Sequence, residues 1–454
     1  MSASQSFDRV IDYVGGLAYE DLPPPVTDAA RSVFFDTFGV VLGAHRQPIA
    51  ARLTDYAALS AEPGVSTTIC GFRKVGSATA AFTNGAISHD LELDDYHQAS
   101  ALHAAAVFVP AAIAVGEQTG ASAEELFLAL TRGYEVGCRL ALMMDPEKIY
   151  FCGFHPTTVC GVVGAAAVAA SLMKLPAAQF RQACYLAMGL TSGIMACKTE
   201  PDHYTKSYQC GIAARNGVVA TRLIADGFNF NADSSTTVRG ILQGYTGSIV
   251  PSDGASELGD RFEIAQTSYK LYPCCRHIYP LLDALAQIRR SAAVDSTNVR
   301  KMTLNLYARG AINVRDHSLR THNARYVMAM ALRDGVLRRE FFTERFGIDD
   351  IRPVMDLIEL IPDEALQAEW PEKAPGVVTV ETRDGRRFSA RVDHPKGGPE
   401  NPAVLDELRE KFFALVTPVV GQQRCAALAD MLSGATFALR DVTAILTAPQ
   451  EANA

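Results

Sequence analysis

A run of fifteen residues, HDLELDDYHQASALH from His89 to His103, concentrates groups that can move protons or bind ions. It holds three histidines and four carboxylates, and it contains no lysine or arginine. Imidazoles titrate near neutral pH and serve as general acids and bases, and neighbouring carboxylates orient them and change their pKa. The cations that balance these carboxylates must therefore come from elsewhere in the chain or from a ligand.

The run allows three interpretations. If the helix predicted through TNGAISHDLELDD ends near Asp95, His89 and Glu92 share one helical face, and a loop holding His97 and His103 follows. Acids at a helix C-terminus oppose the helix dipole, which suggests that they serve another purpose. The second interpretation is a solvated acidic helix end. The third is a site for a divalent metal, although the spacing matches no H-E-x-x-H pattern.

Three further segments concentrate ionisable groups. CGFHPTTVCG places His155 directly before a predicted helix that Thr157 or Thr158 is expected to cap. HYTKSYQCGIAARNG places Lys206 at the start of a helix rich in small residues, where an ammonium and a helix N-terminus both attract anions. YKLYPCCRHIYP gathers three more groups around a Pro-Cys-Cys turn, namely Lys270, Arg276 and His277. Taken singly, each of these charges is typical of a protein surface.

Together these segments predict one anion site. They lie on both sides of a predicted domain junction, where substrates commonly bind, in a chain whose net charge is -8. A small di- or tricarboxylate is the ligand that such residues would hold, with the acidic run positioning its histidines. The predicted residues are Lys206, Lys270, Arg276, His103, His155 and His277, with His97 of the run as a further substrate ligand.

The elements that must position these residues follow from apolar spacing. Helical periodicity, as in VTDAARSVFFDTFGVVLGA and EELFLALTRGYEVGCRLALMM, predicts a large helical domain over residues 1–264. Alternating segments such as VRKMTLNLYA, and a hairpin turn at Asp384-Gly385, predict a smaller α+β domain over 265–398. Helical spacing resumes over 399–454, which we expect to return to the first domain. The predicted fold class is mainly α with a smaller α+β domain.

Composition excludes several classes of protein. The chain has 454 residues, 48% of them hydrophobic and 20% charged, as in an ordinary soluble enzyme. Its acidic balance argues against a nucleic-acid partner. Because neither an export signal nor an apolar stretch of the ~18 residues that a membrane span requires is present, we expect a cytoplasmic protein without a membrane partner. Ten cysteines form no C-x-x-C pair, which indicates reduced thiols.

Five ordered motifs resemble the MmgE/PrpD family. They are TNGAISHDLELDDYH…LH, GFHPTTVCGVVGAAAVAA, KSYQCGIAARNGVVATRLIADGF, KLYPCCRHIYPLLDAL and RYVMAMALRDG, and DAARSVFFDTFGVVLGAH is similar to the family's N-terminal helix. The resemblance implies a helical domain assembled from both chain ends, an α+β lid, a homodimer, and no metal or other cofactor. It also implies active-site roles for Glu92, His103, His155, Lys206, Lys270, His277 and Tyr326.

Three departures from the family pattern leave the substrate open. Glu92 stands where relatives commonly carry Asp, and Ala104 stands where they carry Pro. The lysine motif reads Lys206-Ser-Tyr-Gln instead of Lys-Pro-Leu-His. Against these, the ELDDYH…LH spacing is similar to that of fungal cis-aconitate decarboxylase.

The resemblance implies chemistry at a carbanion next to a carboxylate, which forms an aci-carboxylate. Lys206, Lys270 and His277 would hold the carboxylates, each donor worth roughly 3 to 4 kcal/mol, while His103 and His155 move protons. Dehydration of a 2-methylcitrate-like acid is the first hypothesis, ahead of cis-aconitate decarboxylation and of epimerisation of an iminodisuccinate-like acid. A non-catalytic dimeric protein, suggested by Ala104, and a metal-dependent hydrolase are the rivals.

Overall fold

The computed structural model describes residues 2–60, 63–196, 200, 204–230, 233–252, 254–335, 337 and 348–447. The first part of the chain is helical. Its helices are α1 (Ala3–Gly16), α2 (Pro24–Gly43), α3 (Pro48–Leu59), α4 (Ser77–Ser88), α5 (Ala105–Thr119), α6 (Ala123–Met144), α7 (Pro146–Phe151), α8 (Pro156–Leu172), α9 (Ala177–Met188), α10 (Tyr204–Ala225) and α11 (Ser234–Thr246). Helices α2 and α6 confirm the two predicted from apolar spacing.

Two of these helices cross closely enough to bring distant segments together. Helix α10 packs against α4 and α8. At the crossing of α4 and α10, a Cβ built on Gly211 would lie 2.4 Å from the carbonyl oxygen of Phe82, so only glycine fits there. Gly85 faces Gly211 from the other helix. This contact places the segment after α4, which is the acidic run, beside the first turn of α10, which carries Lys206.

Short strands extend this arrangement towards the second part of the chain. β1 (Ser66–Thr68) pairs with β2 (Arg73–Val75). β3 (Tyr96–His97), within the acidic run, pairs antiparallel with β4 (Thr267–Ser268). Because Lys270 follows β4 by two residues, this pairing brings it beside the run.

The second part has its own hydrophobic core, formed by residues between Cys274 and Val392. Its sheet has the order β6-β5-β7-β8, with β5 parallel to β6 and antiparallel to β7. The predicted hairpin turn is confirmed, since β7 and β8 pair on either side of Gly385 at φ 86°. The elements are α12 (Tyr279–Ser291), β5 (Val299–Tyr307), α13 (Ala308–Val314), α14 (Ala324–Asp334), α15 (Ile348–Met355), β6 (Ile358–Asp363), α16 (Glu364–Gln367), β7 (Gly376–Thr382) and β8 (Arg387–Val392).

The last helices return to the first core. They are α17 (Leu405–Val420), α18 (Gln422–Ser433) and α19 (Leu439–Thr447). Helices α17 and α18 pack on α2, and α19 packs on α5. The Phe412 ring stacks on Phe35 with centroids 4.6 Å apart, above Gly39, which has no side chain to block it. The predicted fold class is therefore confirmed, whereas the domain limits at 264/265 and 398/399 stay predictions.

Two further expectations from the sequence concern membrane-spanning helices and cysteines. None of their helices is both long enough and apolar enough to cross a membrane. All nine cysteines within the described ranges are free thiols, eight of them buried, and the exception is Cys152. That the thiols are reduced stays a prediction.

Candidate active site

The acidic run does not continue α4. The helix ends at Ser88, with His89 as its C-cap, so the prediction that it ends near Asp95 is wrong. Glu92 adopts φ +52°, a left-handed conformation that a helix does not allow. A continued helix would stack carboxylates at the negative end of its dipole. Leaving the helix lets the carboxylates point in different directions and reach separate sets of partners.

The run is also not a solvated helix end. Glu92, Asp94 and Asp95 are 3%, 0% and 1% exposed, so the solvated interpretation is wrong. Buried carboxylates persist only when they are paired or hydrogen-bonded. Their partners therefore identify what the run does.

Asp94 binds two histidines of the run. Its Oδ2 lies 2.7 Å from Nδ1 of His89 and 2.8 Å from Nδ1 of His103. Nδ1 of His103 is also 2.8 Å from the carbonyl oxygen of Asp95. Because both neighbours of this nitrogen are acceptors, the His103 proton sits on Nδ1. Its Nε2 is then a lone-pair acceptor, as a general base requires.

Glu92 binds the two predicted lysines. Its Oε1 lies 3.3 Å from Nζ of Lys206, and its Oε2 lies 2.8 Å from Nζ of Lys270. Lys270 also contacts Asp94 at 3.3 Å. Burial alone would raise the pKa of Glu92. The charges of Lys206 and Lys270, with smaller contributions from His89 and His322, instead hold it well below its usual range. Two carboxylates thus balance two ammoniums, which answers where the cations for the run come from.

Asp95 has a structural role instead. Its Oδ1 accepts from the backbone N–H of Ala105 at 2.9 Å, at the start of α5. Its Oδ2 accepts from the hydroxyls of Tyr134 at 2.6 Å and Thr267 at 2.9 Å. Burial raises the pKa of Asp95 to about 7. The carboxyl therefore anchors the loop that ends at His103.

Lys411 of α17 supports the run from the other end of the chain. Its Nζ lies 2.7 Å from Oδ1 of Asp36 in α2 and donates to the carbonyl oxygen of Leu93 at 2.7 Å. Burial lowers the pKa of Lys411 and raises that of Asp36. Since Leu93 stands between Glu92 and Asp94, this bond fixes the backbone that carries both carboxylates. Sequence reasoning missed Lys411, because nothing local marks a contact over 318 positions.

His155 lies near His103, with ring centroids 6.3 Å apart. It is the N-cap residue of α8, and no side chain caps that helix, so the predicted capping by Thr157 or Thr158 is wrong. Thr157 instead accepts a hydrogen bond from the backbone N–H of His103 at 3.0 Å. Nδ1 of His155 faces Oε1 of Gln209 at 3.2 Å. The threonines therefore position the two histidines.

His277 and His322 reach the site from the α+β part. Nδ1 of His277 hydrogen-bonds to the hydroxyl of Tyr307. Burial, Lys206, Arg276 and Lys270 lower the pKa of His277 to about 4. The charge of His322 is among the effects that lower the pKa of Glu92. His322 was missed, and its one sequence signal was its position before Asn323, the residue that caps α14.

Three predicted site residues have other neighbours. Nε2 of His97 lies 3.0 Å from Oε2 of Glu263. The Arg276 guanidinium donates to the carbonyl oxygens of Lys396 at 2.5 Å and Pro395 at 3.0 Å, and so fastens a loop. His97 and Arg276 also line a separate cavity of about 350 Å³.

Tyr326 lies buried in α14, within the second core, with the Arg320 guanidinium 5.9 Å from its ring centroid. Burial raises the pKa of its hydroxyl. The roles of His97, Arg276 and Tyr326 in binding or catalysis stay predictions.

Ala104 does not distort the site. Its φ is −69°, close to the value that a proline ring imposes. The backbone thus has at this position the φ that the proline of relatives would give. The departure at Ala104 therefore gives no structural support to the hypothesis of a non-catalytic relative.

The lysines hold the site in one protonation state. Burial lowers the pKa of His103 to about 3, with Lys206, Lys270 and His89 adding to the effect and Asp94 opposing it. Burial, Lys206, His103 and His89 also lower the pKa of His155 well below its usual range. Neutral imidazoles beside two ammoniums can accept protons, and they leave the ammoniums as the positive charges that attract an anion.

A metal-binding arrangement exists within the same cluster. Ligand atoms of His89, Asp94 and His103 lie within 4.8 Å of one another. However, one oxygen of Asp94 accepts from both imidazoles, and the ammonium of Lys270 contacts its other oxygen. A divalent ion would be repelled by that ammonium and would displace both protons. The hydrogen-bonded use of these groups is therefore favoured over a metal site.

We expect activity to survive metal removal. Protein dialysed against EDTA and then against metal-free buffer should keep its turnover within about twofold, because lysines rather than a dication supply the positive charge. Metal content measured by plasma mass spectrometry before and after dialysis is the control. Loss of turnover that Zn²⁺ or Mg²⁺ restores would contradict the expectation and support a metal at His89, Asp94 and His103.

Comparison with known proteins places this chain among enzymes. Residues 8–251 match the model for the MmgE/PrpD N-terminal domain, and residues 272–433 match that for the C-terminal domain. The chain is 27% identical to the cis-aconitate decarboxylase-like protein oryM of Aspergillus oryzae, covering 92% of this chain and 91% of that protein. It is 23% identical to the cis-aconitate decarboxylase of Aspergillus terreus (96% and 94%) and 25% identical to that of Homo sapiens (91% and 87%).

Proposed function

Because this chain belongs to the MmgE/PrpD family, we propose that it is a carboxy-lyase acting on a small unsaturated tricarboxylate of the cis-aconitate type. The observation that carries the proposal is the buried cluster in which Asp94 supports His103 beside Lys206 and Lys270. Relatives named cis-aconitate decarboxylase over nearly the full chain support it further. Dehydration, the first hypothesis from sequence, becomes the second candidate.

The geometry suits decarboxylation next to a carboxylate. As the carbon–carbon bond breaks, carbon dioxide leaves and the bonding electrons move onto the remaining carbon and its carboxylate. Lys206 and Lys270 stabilise this aci-carboxylate, because their charges are in place before the reaction. The imidazolium form of His103, stabilised by Asp94, then delivers a proton from Nε2 to the carbon. The proton leaves the ring neutral, as it is in the free protein.

A hydro-lyase acting on a 2-methylcitrate-like acid remains the second candidate because of His155. Dehydration needs one group to remove the α-proton and another to protonate the departing hydroxyl. His103 and His155 are two imidazoles with ring centroids 6.3 Å apart, which supplies one group for each transfer. Decarboxylation uses only one of them for proton transfer.

Proton NMR separates the candidates. Purified protein is incubated with cis-aconitate, 2-methylcitrate and iminodisuccinate, and carbon dioxide release is followed in parallel. The proposal expects carbon dioxide from cis-aconitate, with the product proton coming from solvent. Loss of water from 2-methylcitrate alone would favour the hydro-lyase. No turnover of any of the three, with no deuterium exchange into them from D₂O, would refute this substrate class and favour a non-catalytic protein.

Substrate binding is expected to take up protons. His103 and His277 have their pKa lowered to about 3 and about 4, so both are neutral at pH 7 in the free protein. A polyanion between them supplies the counter-charge that raises these pKa values. By linkage, binding then tightens as pH falls from about 8 to 6. Calorimetry with cis-aconitate in phosphate and in Tris at pH 7 should give enthalpies that differ in proportion to the buffers' ionisation enthalpies.

Equal enthalpies in the two buffers would contradict this expectation. His277→Gln serves as the control, because it removes one of the two imidazoles. We expect that variant to take up fewer protons than the wild type in the same pair of buffers.

A further inference from the structure

Gln209 connects the second imidazole of the site to the helix that carries Lys206. It stands one turn after Lys206 in α10 and is 5% exposed. Its amide nitrogen donates to the carbonyl oxygen of Ile194 at 2.7 Å. Because that bond fixes which end of the amide is nitrogen, the amide oxygen is the end that faces Nδ1 of His155, at 3.2 Å.

An oxygen opposite Nδ1 settles where the His155 proton lies. An amide oxygen only accepts, so Nδ1 must donate and carry the proton. The hydroxyl of Thr158 lies 3.3 Å from both this oxygen and Nδ1 of His155. Because it can donate to the amide oxygen, its own oxygen is left to accept from Nδ1, which agrees with a proton there. Nε2 of His155 has no hydrogen-bond partner among the described residues although it is buried. A buried acceptor without a partner is costly, and a ligand's proton would satisfy it.

The two histidines therefore share a tautomer but differ in what supports it. His103 has a carboxylate behind its ring and His155 has a neutral amide. A carboxylate stabilises the imidazolium that forms when a ring takes a proton, whereas an amide orients the ring without adding charge.

We propose that Gln209 is a positioning residue that holds His155 neutral with its proton on Nδ1 and presents the unprotonated Nε2 to the substrate. His103 is then the group that alternates between imidazole and imidazolium. His155 accepts a hydrogen bond from the substrate. This assignment of roles rests on the proposed function, whereas the tautomer of His155 does not depend on it.

The charges around His155 agree with a neutral ring. Lys206 approaches from α10, His103 and His89 from the acidic run, and the Tyr150 ring from α7 at 6.5 Å. Burial and then Lys206 are the largest effects that lower the pKa of His155, and both disfavour an imidazolium there. Glu92 pairs with Lys206 at 3.3 Å and offsets part of that charge.

The tautomer can be measured directly. In full-length protein labelled with ¹⁵N in the histidine rings, two-bond proton–nitrogen spectra distinguish a protonated Nδ1 from a protonated Nε2, and His155→Gln assigns the signal. We expect a protonated Nδ1 in the wild type and a shift towards the Nε2–H form in Gln209→Leu. A wild-type ring protonated on Nε2, or a tautomer unchanged in Gln209→Leu, would overturn the proposal whether or not any substrate is turned over.

Gln209→Glu distinguishes the orientation of the His155 ring from the stabilisation of its charged form. A carboxylate still accepts from Nδ1, so the tautomer is kept, but it stabilises the imidazolium and should raise the pH at which the His155 signal titrates by at least about one unit. An unchanged titration would overturn the proposal. This variant and the wild-type spectrum keep the test valid if Gln209→Leu does not fold.

Kinetics tests the role in the reaction. We expect Gln209→Leu to lower kcat on the order of 10- to 100-fold, with KM changed less than about threefold. Ser207→Ala is the matched control, because Ser207 is buried in the same helix turn, and we expect no more than about a twofold change. Equal losses in both variants would mean a merely structural effect and would overturn the positioning role. A protein inactive on every candidate substrate would refute the proposed function while leaving the spectra to decide the tautomer.

Discussion

Asp94→Asn is expected to lower kcat by about 10²- to 10⁴-fold, the range found when a positioned acid–base pair is disabled. The ammonium of Lys270 lies 3.3 Å from Oδ1 of Asp94, so an asparagine would turn its oxygen towards that cation. Its NH₂ group would then face Nδ1 of His103, 2.8 Å away in the wild type. A donor there opposes the Nδ1–H form of His103, which then depends on the carbonyl oxygen of Asp95 alone, and so shifts the proton towards Nε2, where it blocks the lone pair.

The measurement is steady-state turnover of cis-aconitate from pH 5 to 9. We expect no recovery at high pH, because the defect is a wrong tautomer and not a shifted ionisation. Asp90→Asn, which alters another acid of the same run, serves as the control and should stay within about threefold of wild type. If Asp94→Asn retained wild-type kcat, the acid–base role of the Asp94–His103 pair would be wrong.

Lys270→Met is expected to destabilise the protein by about 3 to 5 kcal/mol, because it leaves buried carboxylates without one of their cations. Lys270 is 1% exposed and contacts both Glu92 and Asp94. Their pKa values, now held well below the usual range, would rise towards that of a buried neutral acid. Urea unfolding at pH 7, followed by circular dichroism and by fluorescence, measures the change in the free energy of unfolding.

Lys373→Met provides a control that differs in burial. The Lys373–Glu369 pair has a nitrogen–oxygen distance of 2.7 Å, against 2.8 Å for Lys270–Glu92, but the side chains are 40% and 29% exposed. An exposed pair contributes little to stability, so Lys373→Met should destabilise the protein much less than Lys270→Met. Adding Glu92→Gln to Lys270→Met should cost less than the sum of the two single changes, because the same contact is lost in both. If Lys270→Met and Lys373→Met lowered the free energy of unfolding equally, the stabilising role of Lys270 in the buried cluster would be wrong.

The helices could be predicted from sequence where one face or a capping signal dominates. Helix α6 has apolar residues at helical spacing, and Ser122 and Glu125 form a capping box at its start. The end of α4 could not be predicted from spacing, because the periodic pattern continues into the acidic run. Long-range pairing with Lys206 and Lys270 decides the conformation of Glu92, and a local rule does not contain that information.

The need for charge balance predicted only part of the site. Searching for cations to balance the run led to Lys206 and Lys270, and the structure places both against Glu92. The same search named Arg276, whose guanidinium instead binds two carbonyl oxygens. Residue type alone does not show where a side chain points. The homodimer implied by the family resemblance stays a prediction.

The bond from Lys411 to the carbonyl oxygen of Leu93 joins residues 318 positions apart. During translation at about 5 to 20 residues per second, α17 follows the acidic run from the ribosome by roughly 15 to 60 s. A nascent chain therefore carries Glu92 and Asp94 through most of its synthesis before the last support for their backbone exists. Catalytic competence would then arise as a late event of biosynthesis, after the sheet between these two segments has been made.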